Sequence, residues 1–368
     1  MEEISLYVKK IEEVINSINF KKIYSYFKKQ NVAIYNDGFL YFSSSKIPYN
    51  FNLRDSVKAL SEFVILNYES LTLDLIVDAG LFIKQMVTNM FYRNRDKRIP
   101  NDLLALQYPK IYLNYDYMHY ERKLLIKAYH ANDNYVKLNY FRMFLNVRDL
   151  RRQLVGNDFS MLEYGLETIN GLSEYAMYKA IYLLDKKLMK VRLKEITNQF
   201  LIASTEYLDF RHSNIYSGLF ILILMSDLGF DIEPLFESEQ TLYQVVSRKI
   251  DFFREPIAFR TDKNLIEKLT EYDNSVSEKF ATFFDNTPKR VNGYYQIYAF
   301  DPYSIFVDKD NLYHETFVVL KNLLNNELIK IEGPVVTKIL DNSYDIVTSY
   351  YYIDFKKFRK KQVKKWLL

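Results

Sequence analysis

Ile83-Lys84-Gln85-Met86-Val87-Thr88-Asn89-Met90-Phe91 lies inside residues 75–91, where apolar side chains recur every three to four positions, the period of an α-helix. Lys84 and Thr88 are four residues apart and so share one face of that helix. A second stretch, Tyr164-Gly165-Leu166-Glu167-Thr168-Ile169-Asn170-Gly171-Leu172-Ser173-Glu174-Tyr175, sets Glu167, Asn170 and Glu174 at i, i+3 and i+7 on one face of a later helix, with Gly171 small enough for a close helix approach. Working outward, the same period recurs in 4–28, 55–66, 114–129, 134–154, 160–188, 215–228, 242–253 and 264–284. Only 9 Gly and 8 Pro interrupt 368 residues, which favours long helices.

Two-residue alternation marks strands at 32–35 and 39–42, joined across the hairpin signal Asn36-Asp37-Gly38, and again at 294–300, 316–320, 328–331 and 346–353. The expected fold is therefore mainly α with small β additions, an α+β class. We expect an N-terminal α/β entry over 1–70, a helical core over 71–286 and a C-terminal α+β section over 287–368. The stretch Phe284-Asp285-Asn286-Thr287-Pro288 is the expected seam before the last section.

Around the first helix several short motifs have a familial look. Lys97-Arg98-Ile99-Pro100-Asn101-Asp102-Leu103-Leu104-Ala105-Leu106-Gln107-Tyr108-Pro109 resembles the K-R-F-P-N-E-L-L-G-L-x-Y-P that follows H-E-x-x-H in a Gram-positive family of HExxH-type, gluzincin-like zinc-peptidase-like proteins. The segment from Asn114 to Arg122 resembles that family's E-N-x-E-x-R-x-x-E-R helix, with Leu113 and Met118 departing from it. The second helical stretch resembles E-T-I-E-G-x-A-E-Y, and Ala299-Phe300-Asp301-Pro302 and Gly333-Pro334-Val335-Val336-Thr337-Lys338 also fit, so the likeness spans roughly Leu60 to Lys338.

What the resemblance implies is a lost metal site. Lys84, Gln85 and Thr88 stand where the family has its first histidine, its general-base glutamate and its second histidine, and Asn170 stands for the glutamate that would be the third zinc ligand. An ammonium, two amides and a hydroxyl cannot replace two imidazoles and two carboxylates. On this likeness no metal and no cofactor are expected. Glu174 would be a residue that orients ligands, and Lys84 has an alternative task in pairing with Glu167 or Glu174.

Composition narrows the remaining classes. With no Cys there are no disulfides, thiolate metal sites or cysteine nucleophiles. A net charge of +4 does not by itself imply wholesale nucleic-acid binding. The start Met1-Glu2-Glu3-Ile4 does not read as a secretory signal, and the longest apolar run, 219–225, is too short to span a bilayer, so a soluble cytoplasmic protein is expected. None of the four histidines, His119, His130, His212 and His314, pairs at i, i+4, and no serine sits in G-x-S-x-G. The 33 Tyr and 27 Phe suit binding surfaces.

The expected function is thus that of a catalytically inactive peptidase homologue, a pseudoenzyme. It would hold a peptide or protein partner in a metal-free cleft lined by Tyr164, Glu167, Glu174 and Tyr175. An active hydrolase using Glu167, Glu174 or Asp78 is one alternative. Another is binding of anionic membrane or nucleic acid through the basic end, Lys356, Lys357, Arg359, Lys360, Lys361, Lys364 and Lys365. A purely structural subunit is a third.

Overall fold

A computed structural model describes residues 3–49, 63–101, 103–109, 111–201, 210–257, 263–302, 304–341, 343 and 345–353, the side chains of 210–212 aside. The basic end over 355–368 and most of the helix expected over 55–66 lie outside the described residues. The fold is mainly helical with two sheets, the α+β class. The chain forms two compact units: residues 1–100 with 113–260, and residues 101–112 with 261–368.

The first unit opens with helix α1 (Glu3–Ser17) and strands β1 (Asn31–Asn36), β2 (Phe39–Tyr41), β3 (Lys46–Pro48) and β4 (Phe63–Asn67), ordered β3-β2-β1-β4 in one sheet. The expected hairpin is present: β1 and β2 pair antiparallel, and the turn places Asp37 and Gly38 at φ 46° and 79°, a turn that Asp-Gly adopts readily. Helix α1 ends well before residue 28, where the pattern had suggested it would; the Ser17 hydroxyl donates back to the Val14 carbonyl, and a short 3₁₀ turn follows over Phe20–Lys22. From Phe63 the chain is strand rather than helix, pairing parallel with β1. The run Phe63-Val64-Ile65-Leu66 is apolar enough for either structure, and β-branching with a buried Val64 decides for strand.

The rest of this unit is helical: α2 (Leu75–Arg93), α3 (Tyr112–His130), α4 (Asn134–Val155), α5 (Asn157–Leu184), α6 (Lys186–Leu201), α7 (Phe210–Asp227) and α8 (Leu242–Lys249). The N-caps explain the starts. Asp74 accepts from Ile76 N and Val77 N, and Asp133 from Tyr135 N and Val136 N. The single helix expected over 160–188 is two, because Asp185 leaves helical geometry and its carboxylate caps Lys187 N and Leu188 N of α6. Helix α2 divides its faces between two cores: Phe82 and Met86 meet α1 and the sheet, while Ile83 and Val87 join the main helical core.

The second unit is a seven-stranded antiparallel sheet with one long helix, α9 (Lys263–Asp285). Its strands are β5 (Lys289–Phe300), β6 (Ile305–Asp308), β7 (Asn311–His314), β8 (Phe317–Asn322), β9 (Leu328–Glu332), β10 (Val335–Ile339) and β11 (Ile346–Tyr352), ordered β6-β7-β10-β11-β5-β8-β9. Val276, Phe280 and Phe283 of α9 pack on Tyr313 and Val336, which are paired neighbours in the sheet. Helix α9 therefore belongs with the strands and not with the helical core, and the division falls near residue 260, not in the stretch 284–288.

Candidate functional site

Helix α5 carries a polar stripe. Glu163, Glu167, Asn170 and Glu174 follow one another at steps of four, three and four, so they climb one side of the helix about 4.5–6 Å at a time. Each carboxylate on this stripe has a basic side chain from another helix set against it. Arg151 of α4 donates from Nη1 to Glu163 Oε1 at 2.7 Å, and Arg148, one turn earlier, donates from Nη1 to both oxygens of Glu167 at 2.6 Å. At the far end Lys84 Nζ of α2 stands 2.7 Å from Glu174 Oε2.

The middle of the ladder is deeply buried and densely bonded. Glu121 of α3 receives Nε and Nη2 of Arg148 at 3.0 and 2.8 Å and Nε of Arg151 at 2.7 Å, so one carboxylate ties both arginines. The Ser217 hydroxyl of α7 donates to Glu167 Oε2 at 2.6 Å. Burial alone would raise the Glu121 carboxyl, but Arg148 and Arg151 outweigh it and hold it below the ordinary carboxylate range. Burial alone would likewise lower Arg148; Glu121 and Glu167 outweigh that and raise it. These groups are locked in their charged forms. A small cavity beside them, with room for about one water molecule, is lined by residues including Arg122, Arg148, Arg151, Asn214 and Ser217.

The residues singled out in the sequence divide into two sets. Lys84, Gln85, Thr88 and Asn170 are half-exposed, whereas Tyr164, Glu167 and Tyr175 are buried. The Thr88 hydroxyl donates to Ser173 Oγ at 3.0 Å, so helices α2 and α5 meet at both the lysine and the threonine. Lys84 pairs with Glu174 and not with Glu167, whose two oxygens are taken by Arg148 and Ser217. The Lys84 pair is close but poorly aligned for a hydrogen bond, and its side chains are 32% and 9% exposed. Gln85 Nε2 donates to Asn89 Oδ1 at 2.9 Å, while the buried Asn89 Nδ2 has no partner.

Tyr164 stacks on Tyr243 with ring centroids 4.3 Å apart, and burial raises its hydroxyl well above the ordinary value. Lys179 lies over the Tyr175 ring. These tyrosines pack the core beside the ladder. Asp78 is also committed: it accepts from Tyr7 Oη, Thr72 N, Thr72 Oγ1 and Leu73 N at 2.7 to 3.0 Å, which pins the turn before α2. Gly171 makes the expected close approach, but to Gly218 of α7; a Cβ on Gly171 would lie 2.7 Å from Gly218 Cα.

Sequence reasoning missed Arg148, Arg151, Glu121, Glu163 and Ser217. The signal was present, since Arg148 and Arg151 at i, i+3 face the same way, as do Glu163 and Glu167 at i, i+4. On paper, however, such pairs look like a solvated helix surface. Among the described residues no group of three or more His, Cys, Asp and Glu side chains is placed to hold a metal ion. His119 is buried in α3, His130 is exposed at that helix's end, and His314 is buried in β7. Also among the described residues, no helix is long and apolar enough to cross a membrane. No protein-family model, curated protein or solved structure matches the chain, so the likeness to zinc peptidases rests on the motif residues alone.

Proposed function

We propose that this protein is a non-catalytic relative of the HExxH zinc peptidases that holds a peptide or protein partner on the half-exposed end of the α2–α5 contact. One observation carries the proposal: all three carboxylates of the α5 stripe are matched by Lys84, Arg148 and Arg151. A carboxylate pinned by a guanidinium is a poor general base, because taking a proton would strand a buried cation. At the exposed end an ammonium occupies the first-ligand position of the resembling motif, and an ammonium has no lone pair to give a metal.

Holding, as opposed to cutting, fits the groups that remain. The half-exposed Gln85 and Asn170 keep amide donor and acceptor capacity at that end, and Thr88 keeps acceptor capacity. The test is to purify the protein natively, measure zinc, and assay a mixed peptide library for cleavage and for cross-linking near Lys84. Substoichiometric zinc, no cleavage and cross-links centred on Lys84, Gln85 and Asn170 are expected. Stoichiometric zinc, or turnover abolished by Glu174→Gln, would overturn the proposal.

A further inference from the structure

Helix α6 is charged against its own stability. Lys186, Lys187, Lys190, Arg192 and Lys194 crowd residues 186–195 with Glu195 as the single acid, an excess equal to the +4 of the whole chain. The first turn carries Lys186 and Lys187 and the last turn no base, so apart from the Asp185 cap the charges do not complement the helix dipole. Lys186, Lys190 and Lys194 follow one another at i, i+4 and i+8, a spacing at which like charges repel. The nearest acid on the other side, Asp185, is taken up in capping Lys187 N and Leu188 N at 2.8 and 3.0 Å.

The stripe faces outward because the helix's apolar side is already used. Met189, Leu193, Ile196 and Phe200 are buried in the helical core, and Lys187, Lys190, Val191 and Lys194 are exposed on the other side. Among the described residues the side-chain ammonium groups of Lys187, Lys190 and Lys194 make no ion pair or hydrogen bond. In their midst Val191 is 56% exposed, an apolar contact ringed by cations. A helix that breaks the charge rules and meets no counter-charge among the described residues marks a place where binding is expected to compensate.

We propose that this face of α6 docks an acidic amphipathic segment of a protein partner, its carboxylates meeting Lys187, Lys190 and Lys194 and an apolar side chain covering Val191. The site is separate from the α2–α5 contact and does not depend on the function proposed there. A lipid surface fits less well, because a helix that lies in a membrane needs a free apolar face and this one is buried. A nucleic-acid backbone would use the lysines but has no use for a central valine.

The experiment is fluorescence anisotropy on the full chain with four probes. These are a labelled amphipathic peptide of Glu and Leu, its Lys-and-Leu counterpart, a mixed-sequence single-stranded DNA, and vesicles containing phosphatidylserine. The acidic peptide should saturate and weaken steeply with salt. Combining Lys187→Glu, Lys190→Glu and Lys194→Glu should weaken it at least about tenfold, while the melting temperature holds or rises because like-charge repulsion is relieved. Val191→Ser should weaken the same peptide severalfold without changing the salt dependence. Binding of the acidic peptide that survives the triple reversal, or absence of binding, would overturn the proposal. So would a stripe-dependent preference for DNA or vesicles.

Discussion

Arg148 touches carboxylates from two helices at once, so its removal costs more than one bond. Glu121 and Glu167 would each keep a negative charge in the core with less to balance it. Breaking a buried pair from one side typically costs about 3–5 kcal/mol. Arg148→Met should therefore lower the stability of the helical unit by about that amount, read from the denaturation midpoint at constant slope. Lys84→Met offers the contrast. The Lys84 side chain is a third exposed and poorly aligned with the buried Glu174, so a smaller loss of about 1–2 kcal/mol is expected. If the two variants lose equally, burial does not grade the ladder.

At the scale of elements, the tightest crossing is that of α5 on α7. A Cβ on Gly218 would stand 2.3 Å from the Glu167 carbonyl oxygen and 2.7 Å from Gly171 Cα, both backbone atoms that cannot step aside. Gly218→Ala should cost roughly 2–3 kcal/mol or more by forcing the helices apart. Gly80→Ala on α2 meets only side-chain atoms of Ile181 and Met177, at 2.9 to 3.1 Å, and methionine can repack. Its loss should be clearly smaller in thermal melts, and a reversed order would refute the comparison.

This scale also separates what the sequence disclosed from what it hid. The helices α2 to α5 were legible from their apolar period, and the first hairpin from its Asn36-Asp37-Gly38 turn. Helix α6 was not, although Met189, Leu193, Ile196 and Phe200 hold helical spacing, because the lysines between them obscured the pattern. The short strands β6, β7 and β10 hold only 4 or 5 residues each, too few for alternation to stand out. Gly171 announced a close approach but not to which helix, since a glycine advertises space and not its occupant. The arginines that complete the site were hidden for a like reason: charge on a helix reads as surface until its partner helix is known.

For the whole molecule, the division into two units predicts two different responses to acid. In the strand unit, His314 is buried with Nε2 3.0 Å from Thr337 Oγ1 and Nδ1 unpartnered, and burial pulls its pKa down from 6.5 to about 3. The unfolded chain therefore takes up a proton near pH 6.5 that the folded unit refuses. The stabilisation is complete above that pH and is lost as pH falls toward 3. Between pH 7 and pH 5 the loss should be about 2 kcal/mol. In the helical unit, Arg148 and Arg151 hold the Glu121 carboxyl below the ordinary carboxylate range, so its stabilisation persists until the pH falls into and below that range. Hydrogen exchange followed by mass spectrometry should then show β7 and β10 losing protection at mildly acid pH while α4 and α5 remain protected. His314→Gln, which keeps a polar neutral group without the titration, should remove most of the difference. Loss of protection in α4 and α5 at or before the pH that opens β7 would mean that His314 does not set the acid limit of the strand unit.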